Sequence, residues 1–258
     1  MARKKDVCRL CGDFTEMDYE HIPPKKAFNE IHRKFPTIEY WLMGRKTRKF
    51  RREGIGEHSL CPRCNSTTGG WYAPALINWA RQGKVYIEKI EHGVPLYLLF
   101  KIQPLNVLKQ ILVMMIAMSS IDTKRYHDDL RYALLDRQSQ AIPPKYRVFV
   151  YFNLEGGNPR FESGYVVAKK DGREFGVSYI DAEVALPPFG YHITSSLRDR
   201  KTIGESQGLC EITDFSHYRY NQIRQVFLKM PALETHEPFP LDYRSKSEVD
   251  DHYRRMGL

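Results

Sequence analysis

Leu105, Leu108, Leu112, Met115 and Ile116 recur at steps of three and four residues behind Pro104, which predicts a buried helix over 104–120. A second, more charged helical pattern covers 124–137. Strand patterns follow. Residues 147–152 are rich in β-branched and aromatic side chains and end at the turn signal Glu155-Gly156-Gly157-Asn158-Pro159. Residues 165–168 and 174–180 flank Lys169-Lys170-Asp171-Gly172-Arg173, which reads as a hairpin with Asp-Gly at its tip. Weaker strand patterns at 182–186 and 191–194 lie around Pro187-Pro188. Ile223, Val226 and Phe227 predict a helix ended by Pro231, and Ser245 with Glu248 forms a capping box for a terminal helix. Nearer the N-terminus, the stretch Ser66 to Ala80 reads as a short turn with a helix behind it that packs Trp71, Leu76 and Trp79 inward, stacking on bases being the rival use of the aromatics. Thr68 falls near a candidate ligand, Asn65. The mixture is α+β.

Apolar residues make up 42% of the 258 and charged residues 28%, a globular balance that excludes disordered and fibrous classes. No apolar run reaches the roughly 18 residues of a membrane span, the best being 111–118, and the first residues carry charge without an apolar run behind it. The expectation is a soluble, cytoplasmic protein with no membrane partner. The net charge is +9, of which +7 falls in residues 1–92. Gly93-Val94-Pro95, a turn signal where the charge balance changes, divides the chain into units of 1–92 and 93–258. The excess peaks at Arg45, Lys46, Arg48, Lys49, Arg51 and Arg52, a basic run that suits the phosphate backbone of nucleic acid or else forms a solvated loop.

Four of the five cysteines form two Cys-x-x-Cys pairs, Cys8/Cys11 and Cys61/Cys64. Two residues between thiols allow a tight turn with both sulfurs facing one cation, and a second such turn completes a tetrahedron, so a structural Zn²⁺ is expected. Disulfides are the rival use of these thiols, but the expected compartment is reducing and Cys210 has no mate. The 49 residues between the pairs exceed the ~15–20 of a compact zinc ribbon, so the knuckles bracket an inserted element. Cys210 reads as an ordinary buried thiol, and His192 and His217 as structural.

Between the knuckles lies Glu20-His21-Ile22-Pro23-Pro24, a carboxylate beside an imidazole ahead of two prolines. On a strand, adjacent side chains take opposite faces, so the two can hold different partners. Cys-x-x-Cys, then Glu-His-Ile-x-Pro, then Leu-Cys-x-x-Cys-Asn resembles the HNH endonuclease family, whose core is a β-hairpin and a helix around a divalent metal. The resemblance spans about residues 6–82, and three elements stand in its order. It implies a zinc-stabilised ββα-metal module followed by a mixed helix and antiparallel-strand domain. It makes His21 the general base that activates water, Glu20 a ligand of the catalytic metal, and Asn65 a second ligand. The family's middle Asn, which orients the base, is missing from Gly56-Glu57-His58-Ser59-Leu60; His58 or Asn29 is left to replace it. The long basic stretch 27–54 is an insertion relative to the minimal motif.

A neutral imidazole near pH 7 suits proton removal from water, and oxygen ligands with open positions suit Mg²⁺ or Mn²⁺, whereas four thiolates select Zn²⁺. The expected function is metal-dependent hydrolysis of phosphodiester bonds in nucleic acid, DNA favoured, with a homodimer suited to double-strand cutting. Two alternatives stand beside it: a zinc-stabilised nucleic-acid-binding protein without catalysis, and a nuclease gated by a ligand or protein sensed by residues 93–258. That second unit carries no repeat, phosphate loop or Ser/His/Asp signature.

Overall fold

The computed structural model describes residues 4–29, 33–35, 49–51, 54–119, 127–164, 179–196, 208–236 and 242–256, giving the backbone alone for 33–35, 49–51, 158–164, 179–180 and 196. Among these residues, no helix is long and apolar enough to cross a membrane.

The N-terminal part is built from short hairpins around one long helix. β1 (Lys5–Val7) pairs with β2 (Phe14–Glu16), and β4 (Arg33–Phe35) with β5 (Lys49–Arg51), all antiparallel. β3 (Asp18–His21) pairs antiparallel with β6 (Gly56–Leu60), and β6 runs directly into α1 (Pro62–Ile87). The short turn expected after Asn65 is therefore corrected: residues 66–70 are already helical. Gly69, Gly70 and Pro74 all oppose a helix locally, but Cys61 caps the N-terminus, Pro62 suits the first turn, and Tyr72, Leu76, Trp79 and Ala80 are buried. Tertiary burial outweighs the weak residues. Leu76 and Trp79 are buried as expected, Trp79 against Phe100 and Phe189, while Trp71 is half-buried. Thr68 is buried and donates back to the Cys64 carbonyl of its own helix.

Residue 92 is followed by a turn and by β7 (Leu96–Ile102), an element absent from the sequence reading. α2 (Pro104–Met118) realises the expected helix, and every side chain from Leu105 to Ala117 is buried, because α1 covers one side and a sheet the other. Lys109 is among them; its Nζ donates to the carbonyls of Ala133 and Asp136 at the end of α3 (Asp128–Leu135), where an ammonium replaces missing helical donors. The sheet contains β8 (Tyr146–Gly156), β9 (Asn158–Gly164), β10 (Tyr179–Leu186) and β11 (Phe189–Ser196), in the order β8-β11-β10-β9 and antiparallel. The outer edge of β8 is shared by β12 (Cys210–Glu211), antiparallel, and β14 (Ala232–Thr235), parallel. The hairpin tip expected at 169–173 lies outside the described residues.

β13 (Arg224–Met230) corrects the helix expected at Ile223–Phe227. Val226, Leu228 and Met230 turn inward while Gln225, Phe227 and Lys229 are exposed, a period of two, and the strand pairs antiparallel with β7. α4 (Lys246–Met256) begins at the expected box: Ser245 N donates to Glu248 Oε2 at 2.7 Å and Glu248 N to Ser245 Oγ at 3.4 Å. One apolar core joins residues on both sides of 92, from Cys8, Leu60 and Trp79 to Leu112, Val150 and Ile193.

Two buried imidazoles set an acid limit on this core. His127 hydrogen-bonds Tyr146 Oη through Nδ1, and His192 sits 3.5 Å from Asp181. Burial pulls both down to about 4, for His192 despite the carboxylate and for His127 with help from the Lys145 ammonium. The unfolded chain therefore binds more protons between pH ~6.5 and ~4, so stability is full above ~6.5 and falls as the pH drops through that window. At about 1.4 kcal/mol per pKa unit the two together amount to the order of 7 kcal/mol over the whole window. Urea midpoints measured from pH 7 to 4.5 should fall steeply for the native chain and less for His127→Phe/His192→Phe. Equal slopes would remove the imidazoles as the cause.

Candidate functional site

The first knuckle is the tip of a hairpin and the second is the start of a helix. Cys8–Asp13 connects β1 to β2, with Gly12 at φ +85°, a left-handed turn that glycine accommodates. Cys8 N donates to Asp13 O and Gly12 N to Cys8 O, closing the loop. The second pair lies at the N-terminus of α1, where Cys61 Sγ accepts from Cys64 N at 3.4 Å. Arg9 N donates to Ser59 O, and Cys61 N to Cys8 Sγ at 3.3 Å, so the two knuckles are stitched face to face.

The sulfurs of Cys8, Cys11, Cys61 and Cys64 all lie within 4.8 Å of one another, with Cys11 and Cys61 3.9 Å apart. A tetrahedron with metal–sulfur bonds of about 2.3 Å has edges of about 3.8 Å, so the set is of a size to hold a metal ion. The thiols compete for charge. Cys8 is pulled down to about 4 because the Cys64 thiol donates to it, which pushes Cys64 up, and burial raises Cys11 to about 11. The fifth thiol, Cys210, is half-buried on β12 and raised to about 11 by burial.

β3 and β6 carry the other candidates. Glu20, His21 and Asn65 border one cleft of about 170 Å³, together with Tyr19, Pro24, Lys25, Gly69 and Ala73. The register Tyr19↔His58, Glu20↔Glu57, His21↔Gly56 brings the strands to the helix, and α1 presents Asn65, Gly69 and Ala73 at four-residue steps. Glu20 is 7% exposed, with no hydrogen-bond donor or cation at its carboxylate among the described residues. Burial, and then the Asp18 carboxylate, push it up to about 8. Asn65 donates through Nδ2 to Asp18 Oδ2 at 3.1 Å and to Tyr19 O at 3.4 Å, which leaves its Oδ1 for another partner. A Cβ built on Gly69 meets nothing within 4 Å, so the cleft is open over the helix backbone there.

Two residues of this arrangement escaped sequence reading. Asp18 lies two positions before Glu20, on the same strand face, a period that could have been read. Lys25, exposed at the rim, is indistinguishable in sequence from any surface lysine. Tyr19 stands with its ring 5.0 Å from His21 and 5.2 Å from His58, edge-on to both. His58 is exposed and does not border the cleft.

Asn29 has a different place. Buried at 2% exposure, it donates through Nδ2 to Pro23 O and Ile55 O and accepts from Ile55 N through Oδ1, each at 2.7 Å. It thus clamps the segment after His21 to the segment before β6. Asn29→Ala strands the Ile55 amide and removes three bonds, at a cost of about 3 kcal/mol. Urea unfolding checks this, and a loss within about 0.5 kcal/mol, ordinary for a neutral surface change, would show the clamp to be dispensable.

Of the basic run, Lys49 and Arg51 belong to β5, while Arg45, Lys46, Arg48 and Arg52 lie outside the described residues. A further group, Glu155, Glu234 and His236, also has ligand atoms within 4.8 Å. It is served from within: His236 Nε2 and Lys246 N bind Glu234, and Lys246 Nζ lies 3.8 Å from Glu155. Comparison of the chain with models of known protein families, with curated proteins and with solved structures finds no match.

Proposed function

We propose that the protein is a metal-dependent endonuclease of the HNH type, its four-cysteine centre holding a structural Zn²⁺ and its cleft a catalytic Mg²⁺ or Mn²⁺. The observation that carries this reading is Glu20, a buried carboxylate with no cation of its own, on the same cleft as an imidazole and a free amide oxygen. A buried carboxylate is stable when neutral or when it coordinates a cation, and Glu20 with Asn65 Oδ1 offers two hard oxygen ligands and an open side. A divalent cation held there supplies positive charge to the scissile phosphate.

The chain's own groups account for the rest. His21, half-buried at the rim, accepts a proton from water as the water oxygen bonds to phosphorus and the bond to the 3′-oxygen breaks. Lys25 places an ammonium where the phosphate backbone enters. Gly69 leaves the helix backbone open to a close-lying strand. Asn29, in place of the missing middle Asn, positions His21 through the loop it clamps, while His58 lies off the cleft. Asp18 orients the Asn65 amide so that its oxygen faces outward.

The test is incubation of the purified protein with supercoiled plasmid, single-stranded DNA and RNA, each with Mg²⁺, with Mn²⁺ and with neither. Cutting that requires the divalent ion and is lost in His21→Ala supports the reading, with DNA as the expected substrate. Binding of all three without cutting under either ion would replace it with a non-catalytic binding protein.

A further inference from the structure

From the ribbon formed by β7 and β13 we infer a binding platform for single-stranded nucleic acid, separate from the cleft. It rests on the reading of nucleic acid as substrate and names where an unpaired strand is held. The outward face of the ribbon has three tiers, set by the register: Tyr97 opposite Lys229, Leu99 opposite Phe227, and Lys101 opposite Gln225. Phe227 is 74% exposed and Tyr97 69%, while the inward residues Phe100, Ile102, Leu228 and Met230 are buried. Two exposed rings and a leucine side by side make a surface that a partner covers at a gain.

Charge and edge chemistry identify the partner. Neither strand contains an Asp or Glu, and Lys101 and Lys229 rim the rings, with the Lys229 ammonium 5.3 Å from the Tyr97 ring centre. Two copies of this face brought together would oppose lysine to lysine, whereas a polyanion meets both cations with opposite charge. Addition of a protein strand is blocked along β7. Gln82 of α1 pairs with Lys101 through both its amide groups, at 2.8 and 2.9 Å, and Tyr86 Oη donates to Leu99 O at 3.2 Å. On the other side β13 lies against β12 and β8. What remains is side-chain surface: aromatic faces for bases and ammonium groups for phosphates, the combination by which single strands are held without sequence readout. In duplex DNA the base faces are stacked inside and out of reach of such rings.

The ribbon flanks the C-terminal half of α1, and the cleft lies at its N-terminal half, where Asn65, Gly69 and Ala73 are. From Ala73 to Gln82 is nine residues, about 14 Å along the helix at 1.5 Å per residue.

Fluorescence anisotropy tests this with the zinc-loaded full chain, no Mg²⁺ or Mn²⁺, and three fluorescein-labelled probes: dT20, the same backbone with abasic sites, and a 20-base-pair duplex. Phe227→Ala and Tyr97→Ala are each expected to weaken dT20 binding at least fivefold, with little change for the abasic and duplex probes and an unchanged melting temperature, since both rings are exposed. Phe227→Tyr should retain affinity and Phe227→Leu should not. Lys101→Gln/Lys229→Gln should lower the salt slope for dT20 by about 1.4, at about 0.7 per phosphate contact on single strands. Equal affinity of all variants for dT20, or losses shared by the abasic and duplex probes, would overturn the platform. So would a dimer in light scattering that Phe227→Ala dissociates, which would assign the face to a second copy. The two readings fail separately. Loss of dT20 binding in Phe227→Ala without metal-dependent cutting leaves the platform and removes the nuclease; cutting that needs His21 with unchanged dT20 binding does the reverse.

Discussion

Cys8→Ser and Cys64→Ser are each expected to unfold the N-terminal part of the chain and the start of α1 with it. Apparent binding free energies of structural zinc in small domains are about 10–16 kcal/mol near neutral pH, as large as the whole stability of many domains, about 5–15 kcal/mol. The short hairpins within residues 4–60 are expected to depend on such a contribution from the proposed zinc. β1, β2, β4 and β5 are three residues each, and two-stranded pairs of that size do not hold alone. Two of the sulfurs are also local acceptors, Cys8 for the amide of Cys61, and Cys61 for the amide of Cys64. A hydroxyl keeps the size of the group but is a poor ligand. The native chain should carry about one zinc by mass spectrometry, and either variant close to none. Helical circular dichroism should fall in both, and a strong chelator should reproduce the loss. Cys210→Ser, remote from the four, is the control and should keep its metal. A Cys64→Ser protein that melts at the native temperature with its zinc in place would end the structural role.

His21→Ala is expected to lower metal-dependent cutting by about 10²–10⁴-fold, the usual range for removing a general base, without loss of the fold. The imidazole is half-buried at the rim of the cleft, edge-on to the Tyr19 ring at 5.0 Å, and is not part of the fully buried core. Glu20→Gln separates ligand from scaffold. With no divalent ion added, Glu20 titrates at about 8 in the fold against an ordinary value of 4.5. The unfolded carboxyl therefore gives up its proton first, and Glu20 destabilises the fold increasingly as pH rises from ~4.5 to ~8. The amide has no such dependence, so Glu20→Gln should be more stable at pH 7 by roughly 3 kcal/mol and inactive. Adding Mn²⁺ should raise the melting temperature of the native chain and leave that of Glu20→Gln unchanged. A variant neither stabilised nor impaired would show that Glu20 is ordinary core.

How far this could be read from residues alone depends on whether a constraint is local. The Cys-x-x-Cys pairs were legible because two residues between ligands dictate a turn whatever surrounds them, and their sulfurs do meet in one cluster. The helix at 104–118 was legible from its apolar spacing, although the spacing marks one stripe while the structure buries the whole circumference. Ser66–Gly70 was misread because glycine propensity is a local preference, and the burial of Tyr72, Leu76 and Trp79 that overrides it is not. Ile223–Phe227 was misread because three apolar residues over five positions fit a helical step as readily as a piece of strand. The deciding partner, β7, lies more than a hundred residues earlier. The choice between His58 and Asn29 was likewise closed to sequence: both are polar residues near the cleft, and only the three bonds of Asn29 to Pro23 and Ile55 distinguish a clamp from an exposed side chain.

Cys61 belongs to the four-thiol cluster and caps the first turn of a 26-residue helix. That helix runs about 39 Å, past the cleft, beside α2, and on to the carbonyls of β7. The longest helix among the described residues thus starts from the four-thiol cluster, which the proposed zinc would turn into an inorganic joint. A cell short of zinc would then do more than loosen a hairpin. It would unmoor a beam on which the cleft and the outer ribbon both hang, and, under the proposed zinc, hydrolysis and strand binding, both activities would then fail together.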